Sequence, residues 1–448
     1  MNNRSLEEVD TIILGAGISG LTLGYYLNKK EKDFLIFESS KYIGGNISTK
    51  NKKGFICENG PNTVLINNES IQDLILDLKI KNDIIYPNNN NNKRFLIKNG
   101  KLIKIPQSFG QFIMSNILSL SAKIRIFFEI FIKKSDNSLS VYDFFKRRFG
   151  KEFHDVLIEP FLTGVYAGDT RKMSIKYVLK KIWEVEQNYG SVILGFIKKK
   201  SRNISPKSFN FKNGLSDLTN TIQQKIKDKI RFNSKITSIS KIGNLYEITV
   251  NNHIKYRCCK LISTIPAYTL SEVIFDKKLS QTLKKIYYCP IYVLHLGVEK
   301  QKIKNDISGF GVLTKPSDNK SFLGIIFNSR IFPHVAPSDK DLMTVMVGGT
   351  RQEQLLKTDK DLLFDKIVRD VRKLISYDGQ IIMKHDFLWY KGIPQYGLNH
   401  DLITKEIKNF ENKNKDLHIL GNYVNGISVS DCIEKATILS KKLRSKKS

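Results

Sequence analysis

The sequence predicts an α/β fold whose first sheet is assembled from separate stretches of chain, and three observations predict it. A β-branched apolar run from Val9 to Leu14 hands over to Gly15-Ala16-Gly17-Ile18-Ser19-Gly20 and then to a helical pattern from Leu21 to Asn28. A second short apolar run, Phe34 to Phe37, ends in Glu38. Strand periodicity returns over residues 231–262, and near the C-terminus a short strand at His418 to Leu420 leads into a glycine-bounded turn, Gly421 to Gly426. The strand, glycine turn, helix, strand series opens a Rossmann-like dinucleotide-binding domain, and the later pieces complete it.

Taken in order, residues 1–92 form the first part of that domain, 206–262 the second and 391–448 the third. Residues 93–205 differ in character. Between 93 and 148 there are twelve Lys or Arg against three Asp or Glu, and Phe109 to Ile132 carries Phe, Ile and Leu at helical spacing. Lys123, Arg125 and Glu129 interrupt that run, so it does not read as a bilayer-spanning helix. Another basic, partly apolar segment runs from Phe196 to Lys212. Across 263–390, apolar and polar residues alternate through Tyr292 to Val298, Phe322 to Phe327 and Met343 to Val347, predicting a mixed, mostly antiparallel sheet. No internal repeat is visible.

Composition bounds the function. With 448 residues, 41% apolar and 26% charged, the chain is globular and long enough for two or three lobes. Seventy-three basic residues against 43 acidic ones give a net charge of +30, which suits nucleic acid, anionic lipid or a small anion. Lys, Asn and Ile are abundant throughout, as in Asn88 to Asn92, so part of that charge reflects a compositional bias and only a weak anionic preference survives. The five cysteines, Cys57, Cys258, Cys259, Cys289 and Cys432, are odd in number and lack a C-x-x-C pair, which excludes a disulfide framework and a zinc site of ordinary spacing. The seven histidines are scattered, so no metal is expected. Met1 to Asp10 is polar and shows no cleavable targeting sequence, which predicts a cytoplasmic protein.

The three turn glycines have different tasks: a tight turn, close backbone approach to a pyrophosphate, and close packing of helix on strand. The helix N-terminus then presents N–H groups to the phosphate charge. Glu38 stands where a carboxylate accepts hydrogen bonds from ribose hydroxyls and repels a 2′-phosphate, which disfavours NADP. Two further stretches point to FAD: Gly44-Gly45, followed by Asn46, and Gly60-Pro61-Asn62. Flavin oxidoreductases resembling amine oxidases carry an Arg where this chain has Asn46, so a side-chain contact to phosphate is in question there while the glycine backbone contacts are not.

Beyond these motifs, Glu58-Asn-Gly-Pro-Asn62, Arg94-Phe-Leu-Ile97, Glu159-Pro-Phe-Leu-Thr-Gly-Val-Tyr-Ala-Gly-Asp169, Lys181 to Asn188, Phe332 to Pro337, Val347-Gly-Gly349 and Ile393-Pro-Gln-Tyr396 extend over nearly the whole chain. Together they resemble the oxygen-dependent, FAD-containing protoporphyrinogen IX oxidases of the cyanobacterial and plastid type. The Glu159 to Asp169 stretch is the most specific part, since general amine oxidases lack it.

The resemblance implies FAD held by Gly15, Ala16, Gly17, Ser19, Gly20, Glu38, Ser39, Gly44, Gly45, Asn46, Gly60, Pro61, Asn62, Ile236, Trp389, Gly421, Asn422, Gly426, Ile427 and Ser428. It implies protoporphyrinogen IX as substrate, with Arg94 as the cation for a propionate, Leu313, Ile326 and Met346 walling an apolar slot, and Gly164 and Ala167 bringing backbone close. Dioxygen would reoxidise the flavin and leave as hydrogen peroxide. No acid, base or nucleophile is assigned, because the flavin carries the chemistry. The basic segment 95–150 would rest on an anionic membrane surface as a peripheral lobe, and a homodimer is compatible with the pattern. Two alternatives stay open from sequence: another flavin oxidoreductase of the same fold, such as a carotenoid desaturase or amine oxidase, and, from charge alone, a flavin-free nucleic-acid-binding protein. The second lacks any aromatic-plus-basic platform.

Overall fold

In the computed structural model, which describes residues 7–88, 93–106, 108–135, 139–198 and 207–443, the opening β-branched run becomes the strand Glu7–Leu14. Residues 1–6, most of the Asn88 to Asn92 run and residues 199–206 of the second basic segment lie outside the described residues. The first strand is central. It pairs in parallel with Phe34–Phe37 on one side and Ile254–Ser263 on the other, and Ile230–Arg231 and Leu417–Ile419 extend the parallel set. Leu245–Val250 and Ile236–Ile242 add an antiparallel edge. The sheet therefore draws on the N-terminal, middle and C-terminal stretches.

The helix after the glycine turn, Ile18–Asn28, is buried on nearly every side, from Ser19 to Tyr25 and at Leu27. Such a helix belongs inside a core, not on a surface. It packs against Ser216–Ile226 and the C-terminal helix Val429–Lys442, with Leu21, Leu23, Ile222 and Ile433 in one apolar cluster.

The second sheet has the order Met383–Pro394, Tyr288–Glu299, Lys340–Gly348, Gly324–Ile326, Gly311–Leu313, Arg94–Lys98, Lys101–Lys104. Every pairing is antiparallel except that of Gly311–Leu313 with Arg94–Lys98. Residues 94–104, which the sequence groups with the helical lobe, thus contribute two strands to this sheet. Its back face is covered by the amphipathic helix Lys360–Ile375, whose Leu363, Ile367, Val371 and Leu374 pack on Phe95, Leu294, Val312 and Val345.

The remaining lobe is helical, with Phe144, Phe145, Phe149, Leu162, Met173 and Ile175 in its core. The apolar run at 109–132 is broken into Phe109–Met114, Leu120–Phe127 and a short 3-10 turn, Phe128–Phe131. Glu129, a charge that the sequence counted only as an interruption, is fully buried with Arg148 and Glu186. The Arg148 guanidinium bonds both carboxylates and the Gly190 carbonyl, while Glu129 also accepts from the Val192 and Ile193 backbone N–H groups. No described helix is long and apolar enough to cross a membrane.

Candidate functional site

At the first site the helix Ile18–Asn28 begins at Gly17 without any side-chain cap, and its first turn holds no acidic residue. Its leading N–H groups are consequently free for an anion. Gly20 sits where any side chain would collide: a Cβ there would lie 2.0 Å from the Gly15 carbonyl oxygen. The loop carrying Gly44 and Gly45 closes on the turn, with the Gly44 N–H donating to the Ala16 carbonyl at 2.9 Å. A Cβ on Gly45 would come within 3.3 Å of the Gly17 Cα, so two bare backbones face one another across a cradle that side chains would fill. Glu38 closes the far end. One carboxylate oxygen accepts from the Ala16 N–H at 2.8 Å and the other from the Ser40 N–H at 2.9 Å. Ser39 is exposed beside it, and the Ser234 N–H donates to the Glu38 carbonyl at 2.8 Å. That last bond places Ile236, itself buried in the core, two residues from this end.

The loop Asn59 to Asn62 lies between this cradle and the second sheet. The Trp389 indole N–H donates to the Asn59 carbonyl at 2.7 Å, and the His385 Nε2 lies 2.8 Å from the Asn59 side-chain oxygen. Asn46 is exposed, and its carbonyl would lie 1.8 Å from a Cβ on Gly60. At the C-terminal turn, Ser428 caps the last helix in a reciprocal capping box with Asp431. The Tyr396 hydroxyl donates to the Asn422 carbonyl at 2.5 Å.

The second sheet's open face supplies the other half. Arg94, Gly311, Ile326, Thr344, His295 and His385 are successive partners across the strands, as are Leu96, Leu313, Gly324, Met346, Val293 and Phe387. Residues directly opposite in register share a face, and side chains two apart along a strand do too. Arg94, Leu313, Ile326 and Met346 therefore all lie on the side away from the helix Lys360–Ile375. The three apolar ones are half-buried. The Arg94 guanidinium lies 5.2 Å over the Phe310 ring and has no carboxylate partner among the described residues. Partial desolvation holds its pKa below the ordinary arginine value.

The helix Glu159–Tyr166 covers this face at Leu313, where a Cβ on Gly164 would meet the Leu313 Cδ2 at 2.5 Å. It ends at Ala167, a non-glycine residue in the left-handed region at φ 51. The Thr350 N–H holds the Ala167 carbonyl at 2.8 Å, which ties the helix end to the sheet.

Residues 18–438 match the model of the flavin containing amine oxidoreductase family. This chain belongs to that family. FAD is accordingly its cofactor, and the uncapped helix start, the facing glycines and Glu38 fit it. Among curated relatives, protoporphyrinogen oxidase 2 of Arabidopsis thaliana is 29% identical over 94% of this chain and 91% of its own length. Coproporphyrinogen III oxidase of Bacillus subtilis is 26% identical over 95% of each. The solved structure of a proposed protoporphyrinogen oxidase from Exiguobacterium sp. 255-15 aligns at a TM-score of 0.83 and 19% identity, covering 98% of this chain and 99% of that one. The family member in hand is thus an FAD-dependent oxidoreductase related to porphyrinogen oxidases.

Sequence reasoning missed two groups in this flavoprotein. Lys435 reaches back from the last helix to the Gly421 and Gly426 carbonyls, each at 3.1 Å, and its burial lowers its pKa. Its position in a plain helical stretch gave no signal. The second group is the set His295, Thr344 and Asn328, buried on the open face beside Asn62.

Proposed function

We propose that this chain oxidises protoporphyrinogen IX to protoporphyrin IX with dioxygen as acceptor, giving hydrogen peroxide. The observation that carries the proposal is the common orientation of Arg94, Leu313, Ile326 and Met346 on one sheet face, with the Gly164 to Ala167 helix end against it. A flexible, largely apolar tetrapyrrole with carboxylate arms needs such a pairing of apolar wall and unneutralised cation. Arg94 can take a propionate through two parallel N–H donors. Leu313, Ile326 and Met346 shield the macrocycle from water, and the close packing of Gly164 on Leu313 keeps the slot thin.

When bound, FAD accepts the electron pair of each oxidation step, a hydride from a macrocycle carbon with a pyrrole N–H proton released, and dioxygen takes the pair on. The aromatic product supplies much of the driving force, so no side-chain base is invoked. Glu38 and the free helix N-terminus hold the dinucleotide end, and the Asn59 to Asn62 loop, braced by Trp389, lies between cradle and slot.

The same proposal seats the helical lobe on an anionic membrane surface. Met114, Leu120 and Phe131 are 86%, 74% and 76% exposed, and Ile124, Phe127 and Phe128 extend the patch. Lys123 and Arg125 on the same short helix turn their charged ends onto the Ile113, Ser115 and Arg147 carbonyls, and the exposed Lys133 and Lys134 that follow Phe131 are the cations such a peripheral segment would hold at the headgroups.

Anaerobic addition of protoporphyrinogen IX to the purified yellow protein tests the reaction. Bleaching of the flavin band, followed by its return in air with hydrogen peroxide and porphyrin fluorescence, is expected. Bleaching by an amine and none by the porphyrinogen would overturn the proposal.

A further inference from the structure

The last helix, Val429–Lys442, carries a lysine whose ammonium turns back onto the chain that precedes it. Lys435 is half-buried, and its Nζ donates to the Gly421 and Gly426 carbonyls, each at 3.1 Å. An ammonium only donates and a carbonyl only accepts, so the direction of both bonds is fixed. Asp431 and Glu434, on the same helix, act on it only through space. A charge drawn out of water is costly unless its donors are used, and here they pin both ends of one turn. Those ends are bare backbone. A Cβ on Gly421 would lie 2.7 Å from the Tyr423 ring, and one on Gly426 would lie 2.6 Å from the Asp431 Oδ2.

The consequence appears on the far edge of each peptide group. In a planar trans peptide the carbonyl of one residue and the N–H of the next point opposite ways, and no described peptide bond is cis. With the Gly421 and Gly426 carbonyls turned to Lys435, the Asn422 and Ile427 N–H groups are turned away from it. Neither N–H has an acceptor among the described residues. The Gly421 carbonyl also takes the Val424 N–H at 3.4 Å, which leaves the Asn422 N–H free. A cation on the oxygen side polarises each peptide group and strengthens its N–H as a donor.

The place where this turn emerges says what the two donors meet. Phe37, Leu14, Ser263 and Ile419 stand side by side in register at the carboxyl ends of four parallel strands. Glu38, Gly15 and, after Leu420, Gly421 follow at that edge, which is where a parallel sheet receives its ligand. The spare N–H groups therefore share an edge with the uncapped helix start and Glu38.

We propose that Lys435 is a positioning residue for FAD, stapling the Gly421 to Gly426 turn so that the Asn422 and Ile427 N–H groups face acceptor groups of the bound dinucleotide. The proposal rests on the flavoprotein assignment and is indifferent to which porphyrinogen is oxidised.

Titration of apoprotein with FAD tests it, followed by flavin fluorescence and by the rise in melting temperature that FAD brings. Lys435→Met keeps the stem and removes the charge, and its FAD affinity is expected to fall about tenfold to a hundredfold. Lys435→Arg, which keeps a charged donor, is expected to recover part of that loss. A lysine that only holds the fold together would lower the melting temperature of the apoprotein and leave FAD affinity unchanged. That outcome overturns the proposal, as does a loss equally large in the Met and Arg variants. Should the variants not fold, amide exchange in the wild-type protein decides. FAD is expected to slow exchange severalfold in residues 421–428, and unchanged exchange there, with the turn at 15–20 protected, overturns the proposal equally. Wild-type protein that takes up no flavin overturns the cofactor assignment instead, an outcome distinct from all of these.

Discussion

The backbone N–H of Ala16 donates to the Glu38 carboxylate at 2.8 Å, joining the glycine turn to the end of the second strand across 22 residues of chain. Because the other oxygen takes the Ser40 N–H, this one carboxylate fixes how far the turn stands from the strand end where a ribose would lie. Glu38→Ala is expected to purify with markedly less flavin. Hydrogen bonds to a charged group are worth about 1.5–3 kcal/mol, so FAD affinity should fall roughly tenfold to a hundredfold, measured by reconstituting apoprotein and following the 450 nm region.

Among the described residues Arg94 has no carboxylate partner, which makes it a sensitive probe of the substrate. Arg94→Ala should raise KM about ten- to a hundredfold while flavin content stays at the wild-type level. Arg94→Lys should recover only part of the loss, since an ammonium cannot reproduce the two-pronged geometry. An unchanged KM in Arg94→Ala would remove this residue from the site.

Gly164 and Leu313 are coupled by contact. A methyl on Gly164 would fall 2.5 Å from the Leu313 Cδ2, so Gly164→Ala must push that side chain toward the slot. A severalfold increase in KM is expected, and Leu313→Ala in the same chain should return much of it. Additive effects in the double-mutant cycle would show that the two do not share a wall.

Burial, reinforced by the neighbouring His385, holds the His295 imidazole down at about 3. As pH falls below 6.5, the unfolded chain takes up a proton there that the folded chain refuses until about 3. Stability therefore declines with acidification across that window, by at most about 1.4 kcal/mol per pH unit from this group. Glu58 has the opposite sign. Burial pushes its carboxyl up to about 7 despite bonds from Leu215, Thr49 and Asn210. Its stabilising contribution is complete below about 4.5 and is lost as pH rises to about 7. Thermal unfolding from pH 4 to 8 should accordingly lose part of its acid limb in His295→Gln and part of its decline toward neutral pH in Glu58→Gln.

The exposed Phe127, Phe128 and Phe131 predict flotation with anionic liposomes. Replacing all three by Ser should leave most of the protein in the soluble fraction. Wild-type protein that never floats would dismiss the membrane seating.

The glycine turn and Glu38 were legible because their geometry is local: a strand, a turn and a helix follow one another, and the acid comes at the next strand end. The alternation in Tyr292 to Val298 and Met343 to Val347 announced strands but not which face would stay open. That is decided by the helix Lys360–Ile375 covering the other side. The His295–Thr344–Asn328–Asn62 series was invisible for the same reason. Its members come from two strands, a short helix and a distant loop, and each alone looks like an ordinary polar residue in an apolar stretch. In the sequence Glu129 is only an interruption of the apolar run and Arg148 only part of the basic excess, since a sequence does not reveal that two charges 19 residues apart meet in a core.

That Arg148 cluster has a consequence for the proposed seating of the lobe on a bilayer. Removing any one of three buried charges would strand the others without compensation, so Phe128 to Phe131 and the start of the helix Val192–Lys198 are anchored to a common post. The greasy side chains are carried on scaffolding already stiff before any lipid arrives. On that proposal docking would resemble a stamp pressed onto a surface, with little chain entropy left to lose at contact.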